Sequence, residues 1–200
     1  VSDTVGRHGY RASVYGATDG GYVSDSGYDQ QKVSLRHDYF GELDSFKTVF
    51  SYVNLNQETA GYAQYPDGRK GAYRDESFSR TNPVPEAYRD ARAYRLSTEW
   101  ERLLSDSSSL RLTPYARYTE MDFLMHFLNG QPVEKNKHSS IGLLAAYTHD
   151  LEGGHRIIVG TDLEYTEGDL SEIQYGPSQG PFVQGLHYDY DVDATVIAPY

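Results

Sequence analysis

The sequence predicts an all-β fold, an antiparallel up-and-down transmembrane β-barrel, and two observations lead to this prediction. First, residues alternate between apolar and polar with a period of two, as in Tyr188 to Ala198, where Tyr, Val and Ala share one face and Asp189, Asp191 and Asp193 the other. Successive side chains of a strand point to opposite faces, so such a strand lies between an apolar and an aqueous environment. Second, short and long connections alternate along the chain, as periplasmic turns and extracellular loops do in such barrels.

Composition excludes several other classes of protein. The 200 residues carry a formal net charge of -11, which argues against a nucleic-acid partner. The chain has no Cys, so it contains neither a disulfide scaffold nor a thiolate metal site. It also lacks the run of roughly 18 apolar residues that a membrane-spanning helix needs. The mean hydropathy of -0.66 does not contradict a membrane barrel, because only every second strand residue faces lipid.

Eight strands are predicted in order along the chain. Each one combines an alternating segment with Gly, Asp, Asn or Ser at its ends, which are the residues that turns favour. The predicted strands are Tyr10–Thr18, Gln30–Tyr39, Ser45–Asn56, Ala91–Leu103, Leu110–Tyr118, Ser139–Asp150, Arg156–Thr166 and Tyr188–Ala198. Short turns follow the second, fourth and sixth of them, and long connections follow the first, third, fifth and seventh.

Three of these strands are less regular than the rest. Both faces of Ser45–Asn56 are fairly apolar. The composition of Ala91–Leu103 also suits a helix, since Glu, Arg, Ala and Leu favour helices, but predicted strands on both sides favour a strand. Pro114 removes a backbone donor from the fifth strand, so we expect a bulge or irregularity there.

The rings and charges of these strands are expected to occupy defined positions. Tyr and Trp are stable at the headgroup level of a membrane, because their rings are apolar and their tips polar. The residues expected in or near such aromatic girdles are Tyr39, Trp100, Tyr118, Tyr147 and Tyr165. The charged side chains expected to point inward are Arg11, Arg36, Arg95, Glu99, Arg111, Arg117, Asp162, Glu164 and Asp189. They either form an ion-pair network that fills a narrow barrel or line a wide, wet lumen.

The longest connection, from Gln57 to Tyr88, supplies the candidate ligand-binding residues. A loop of about 30 residues without its own periodicity is usually functional or disordered. It combines rings with cations, which suit an anionic aromatic ligand such as a ferric catecholate through stacking and charge. The candidates are Tyr62, Tyr65, Arg69, Tyr73 and Arg74. An ordinary solvated loop is the alternative explanation.

The sequence offers no candidate catalytic residue, metal ligand or cofactor site. Asp189, Asp191 and Asp193 lie about 7 Å apart along one strand face, which is too wide for one cation without help from a loop. The seven His residues show no HExxH spacing, and no GxSxG motif occurs. We therefore predict that the protein is not an enzyme.

Several strand segments resemble the barrel of TonB-dependent outer-membrane receptors. They are Gly27 to Val33, Leu112 to Tyr118, and His187 to Tyr200. The resemblance covers most of the chain, although it consists of strand patterns rather than a catalytic signature. In that family a 22-stranded barrel encloses an N-terminal plug and imports ferric siderophores, haem, cobalamin or glycans with energy passed on by TonB.

The resemblance implies that residues 1–200 are a partial receptor barrel, without the plug domain and the TonB box. It implies a location in the outer membrane of a Gram-negative bacterium, and active uptake of a scarce ligand, foremost a ferric siderophore. Its partners would be outer-membrane lipid, the ligand, and the plug and TonB through the rest of the receptor. A self-contained eight-stranded outer-membrane barrel with a structural or adhesive role is the first alternative, and a soluble β-protein the second.

Overall fold

The computed structural model describes residues 1–61 and 76–200, and it confirms the all-β fold. In the described residues one helical turn, α1 (Glu76–Ser79), accompanies nine strands. The strands are β1 (Ser2–Val5), β2 (His8–Asp19), β3 (Tyr28–Phe40), β4 (Asp44–Glu58), β5 (Tyr88–Ser105), β6 (Ser108–Leu124), β7 (Val133–Asp150), β8 (Arg156–Gln174) and β9 (Gly185–Pro199). None of the helical structure within the described ranges is long and apolar enough to span a membrane.

The strands form one antiparallel sheet in chain order, from β1 at one edge to β9 at the other. The turns 6–7, 41–43, 106–107 and 151–155 lie at one end of the strands, which we call the short-turn edge. The connections 20–27, 59–87, 125–132 and 175–184 lie at the opposite, long-loop edge. Because β1 and β9 are not hydrogen-bonded neighbours, the described sheet does not close into the small barrel considered as an alternative.

The first strand was not among the eight predicted. Ser2–Val5 pairs with residues 8–11, across a turn in which Gly6 adopts a φ of 60°. A left-handed φ of this kind is accessible to glycine without steric cost. Four exposed residues are too few to show a periodic pattern, so the strand is visible only through its pairing with β2.

The strands extend further towards the long-loop edge than predicted. The fifth predicted strand continues to Leu124, the sixth begins at Val133, and the seventh continues to Gln174. The sequence signal fades there because both faces carry polar side chains, as at Lys135 and Asp169. With 17 to 19 residues, β6 to β8 are longer than the roughly 9–11 residues that a membrane-spanning strand needs.

The irregular strands also behave in part as expected. β5 is a strand along its whole length, so the helical alternative for Ala91–Leu103 is wrong. Pro114 pairs in register with Leu143 on β7, and beside it the pairing with β5 is interrupted between Ser97↔Tyr115 and Trp100↔Leu112, without a shift. The register shift of this strand pair lies elsewhere, between Leu103 and Ser105 at the short-turn edge. The expected irregularity is therefore a local gap in the ladder and not a bulge.

Cross-strand pairing sorts the side chains of β2 to β8 into an apolar and a polar face. One row across the apolar face runs through Leu35, Phe50, Leu96, Ala116, Ile141 and Tyr165. These side chains are largely uncovered: Ile141 is 64% exposed and Leu96 49%. A continuous exposed apolar surface that extends across seven strands indicates contact with a membrane or another apolar partner.

Aromatic side chains border the apolar face at two heights. Near the short-turn edge, the Phe46 ring lies 6.1 Å from Tyr39 and 6.3 Å from Trp100, whose Nε1 donates a 2.9 Å hydrogen bond to Asp44. Further along the strands, the Tyr94 ring lies 6.2 Å from Tyr118. The two groups match the positions expected of aromatic girdles.

The face assignment predicted for β9 is wrong in this structure. Leu163 pairs with Ile197 and Asp169 with Asp191, so the Asp residues of β9 lie on the apolar-face side of the sheet. Tyr188 pairs with Glu172 and therefore lies on the polar face. Asp189 consequently does not belong to the inward-pointing charges. The reason is a β-bulge at His187, which shifts the pairing by one residue and so exchanges the two faces.

A tyrosine packed on a glycine joins three strands of the polar face. The Tyr115 ring on β6 covers Gly142 on β7, and its hydroxyl donates a hydrogen bond to Glu164 on β8. A Cβ added at Gly142 would lie 2.3 Å from Cζ of Tyr115. Gly142 is therefore required by the close approach of the ring.

We predict that Gly142→Ala destabilises the protein by about 1–3 kcal/mol, because the ring must move and give up its hydrogen bond. Gly168→Ala is the matched control, since its nearest neighbour would be an ordinary 3.6 Å away. Urea unfolding of the protein reconstituted in lipid measures both. Equal stability of the two variants would contradict the packing described here.

Candidate functional site

The predicted ligand-binding residues Tyr62, Tyr65, Arg69, Tyr73 and Arg74 lie outside the described residues. The structure describes the segments that flank them on both sides. Before them, Thr59 donates its backbone N–H to the carbonyl of Ala87 (2.8 Å). The described base of the connection 59–87 is thus fixed at the long-loop edge.

Asn82 organises this base with a nearly complete set of hydrogen bonds. It is 8% exposed, and its Oδ1 accepts from the amides of Gly61 (3.2 Å) and Val84 (3.0 Å). Its Nδ2 donates to the carbonyl of Asp25 in the connection 20–27 (2.7 Å). Since a buried amide is stable only when it is hydrogen-bonded, Asn82 holds two connections in one arrangement.

A small apolar core lies under this edge. Ala87, Leu124 and Val133 are buried, and Val84 and Tyr88 pack against them. The core joins the end of the connection 59–87 to the strands that flank the connection 125–132. Its buried contacts hold the long-loop edge in place, whereas the side chains on the two faces of the sheet are largely exposed.

The connections 125–132 and 175–184 meet at Gln174. This residue is 1% exposed, and its Nε2 donates a 2.8 Å hydrogen bond to the carbonyl of Pro177. Its side-chain amide lies directly against Gly130, where φ is +81° and a Cβ would be 2.1 Å from Oε1. A glycine is needed at that position because φ is positive and because any Cβ would overlap the amide of Gln174.

Sequence reasoning missed two exposed tyrosines beside these loops. Tyr188 and Tyr190 share the polar face of β9, with ring centroids 5.9 Å apart and planes 13° apart. They are 45% and 53% exposed, so both rings are available to a flat or aromatic ligand. Strict alternation places them on the lipid side, and the bulge at His187 that reverses this has no sequence signature.

The charges of the polar face form pairs between neighbouring strands. Arg117 contacts Glu164 at 2.5 Å, and Arg111 contacts Glu101 at 3.2 Å. The arginine side chains remain 36% and 51% exposed. This part of the sheet therefore resembles the lining of a wet lumen more closely than a network that fills a narrow barrel.

Several acidic side chains near this edge are paired with each other or with cations. Within the described ranges, no group of three or more His, Asp or Glu side chains is placed to hold a metal ion. Asp169 and Asp191 do lie next to each other across β8 and β9, but Lys137 contacts Asp169 at 3.2 Å. That arrangement is a mixed-charge surface.

Three solved structures with a similar fold are a transporter and two receptors for ferric complexes. The chain matches the unliganded ferric citrate transporter FecA with a TM-score of 0.71 at 14% identity, over 99% of this chain and 30% of that one. It matches the ferric-catecholate import receptor Fiu of E. coli K12 in its open form with a TM-score of 0.63 at 13% identity, over 98% and 38%. BauA, the ferric preacinetobactin receptor of Acinetobacter baumannii, matches with a TM-score of 0.63 at 11% identity, over 94% and 29%.

This chain has the fold of a barrel segment of TonB-dependent receptors. It spans about a third of the length of the receptors that it matches. No protein-family model and no curated protein sequence matches it. The structural similarity therefore establishes the fold, at sequence identities too low to establish the ligand.

We predict that Asn82→Ala loosens the long-loop edge at a cost of about 1–3 kcal/mol, because it leaves buried backbone groups unpaired. Amide hydrogen exchange should accelerate at Gly61 and Val84. Asn129→Ala, at an exposed loop position, is the control and should leave both amides protected. Unchanged exchange in the Asn82 variant would remove Asn82 from this role.

Proposed function

We propose that this chain is part of the barrel wall of an outer-membrane, TonB-dependent receptor that imports a ferric siderophore. The main support is the match of nearly the whole chain to barrel segments of three iron-transport receptors. These neighbours are transport receptors and not enzymes. The plug domain and TonB would act through parts of the receptor other than this barrel segment.

The distribution of side chains on the apolar face supports a location in a membrane. Between the two aromatic groups the face carries exposed aliphatic residues such as Leu96 and Ile141. Beyond the upper tyrosines it becomes charged, with Arg92 3.3 Å from Glu120. An apolar band bordered by rings and then by charges is the profile of a protein surface that crosses a bilayer.

The polar face and the long-loop edge support an anionic, ring-containing ligand. Tyr188 and Tyr190 offer adjacent rings, and Arg117 and other arginines line the polar face below them. We include the loop candidates Tyr62, Tyr65, Arg69, Tyr73 and Arg74 in this proposal, because rings and cations together bind ferric catecholates and similar chelates.

We predict that replacing both Tyr188 and Tyr190 by Ala weakens capture of a ferric tris-catecholate about tenfold, the effect of losing one good aromatic contact. Deletion of residues 62–75 should abolish capture. Both tests use the full-length protein in outer-membrane vesicles, with ligand depletion as the measurement. Tyr147→Ala, near the short-turn edge, is the control and should bind normally.

Heat-dependent gel mobility shows whether each variant has inserted as a folded barrel. Full capture by the deletion variant would contradict the role of the loop. Failure of the unmodified protein to bind ferric tris-catecholate and ferric citrate alike would contradict the proposed iron-chelate function.

A further inference from the structure

The bulge at His187 determines which way the two exposed tyrosines point. Ile173 pairs with Leu186 and Glu172 with Tyr188, so that His187 is the extra residue on β9. Without this residue the next pair after Ile173↔Leu186 would be Glu172↔His187, and Tyr188 would move to the apolar-face side. The face on which each residue of β9 after His187 lies therefore depends on the presence of the bulge.

The side chain of His187 holds the bulge through both of its ring nitrogens. Nδ1 lies 2.7 Å from Oε1 of Glu172, and Nε2 lies 2.7 Å from the carbonyl oxygen of Val183 in the connection 175–184. A carboxylate and a carbonyl only accept hydrogen bonds. Because neutral imidazole has one N–H and imidazolium has two, both contacts are hydrogen bonds only when His187 is protonated.

We propose that His187, in its protonated form, is a positioning residue that clamps the bulge and thereby directs Tyr188 and Tyr190 to the polar face. It also ties the connection 175–184 to the edge of β8. Above the pH at which His187 loses its proton, one of the two contacts becomes repulsive and the clamp opens. The consequence for ligand capture rests on the proposed function, whereas the clamp itself does not.

The surroundings of His187 favour its charged form. Glu172 is 7% exposed on β8, and its carboxylate faces the imidazole; its cross-strand partner on β7 is another acidic residue, Glu134. The Tyr188 ring meets the imidazole edge-on at 6.2 Å, and the connection 175–184 contributes the Val183 carbonyl. The Val183 carbonyl, followed by Glu172, raises the pKa of His187 above its ordinary value.

The sign of the pH effect follows from this raised pKa. The clamp is complete below the ordinary histidine pKa of about 6.5 and is lost as the pH rises through the higher pKa of the folded protein. Glu172 and His187 lie near the long-loop edge, beyond the roughly ten strand residues that cross a membrane. They can therefore exchange protons with the external medium.

The direct test is a pH titration of the full-length protein with carbon-13-labelled histidine, followed by NMR. We expect one histidine to titrate above 6.5, to be absent in His187→Gln, and to titrate at lower pH in Glu172→Gln. Glu152→Gln, in the exposed turn 151–155, is the matched control and should leave this histidine unchanged. Titration of His187 at or below 6.5, insensitive to Glu172→Gln, would overturn the proposal.

The second measurement is the affinity for a ferric tris-catecholate as a function of pH. In the unmodified protein it should fall about tenfold as His187 is deprotonated. In His187→Gln it should be low throughout and lose this dependence, whereas His155→Gln should keep it. The same pH profile in His187→Gln and in the unmodified protein would overturn the coupling to the tyrosines. If no ferric chelate binds at any pH, the proposed function fails, and the NMR titration still decides the clamp.

Discussion

Backbone pairing along nine antiparallel strands is the constraint on which the rest of this structure depends. Few of the described side chains are buried, and most of those lie at the long-loop edge around Ala87, Leu124 and Val133. The sheet is therefore specified by its hydrogen-bonded ladder and by cross-strand contacts such as that of Tyr115 with Glu164. Since side chains alternate between faces, the register of each pair decides what faces the apolar surroundings and what faces the interior.

This constraint explains how one sheet presents two chemically different faces. The ladder keeps aliphatic and aromatic side chains on one face, while arginines and carboxylates pair on the other. The long-loop edge adds fixed connections through Asn82 and Gln174. At one point, His187, an extra residue shifts the register and places Tyr188 and Tyr190 on the polar face. Regular pairing without the bulge would have placed these two rings on the apolar face.

The sequence predicted most of the fold, because alternation is strong wherever one face is apolar and the other polar. It predicted eight of the nine strands and the position of every short turn between them. It did not predict the upper parts of β6 to β8, since alternation vanishes where water reaches both faces. The bulge at His187 was missed for a different reason: one of its contacts is with Glu172 on the neighbouring strand, 15 residues away, and the other is with a backbone carbonyl, that of Val183, which leaves no residue pattern to recognise. The candidates Tyr62 to Arg74 remain a prediction.

The central claim, a sheet with one lipid face and one aqueous face, is tested most directly by spin labels at consecutive positions of β7. The chain has no Cys, so single Cys substitutions from Leu143 to Thr148 in the full-length protein give unique sites within it. We predict high accessibility to oxygen at residues 143, 145 and 147, and high accessibility to a water-soluble nickel chelate at residues 144, 146 and 148. Leu144 is the most informative position, because it is apolar but lies on the polar face. A profile without this alternation, or with the opposite phase, would contradict the account.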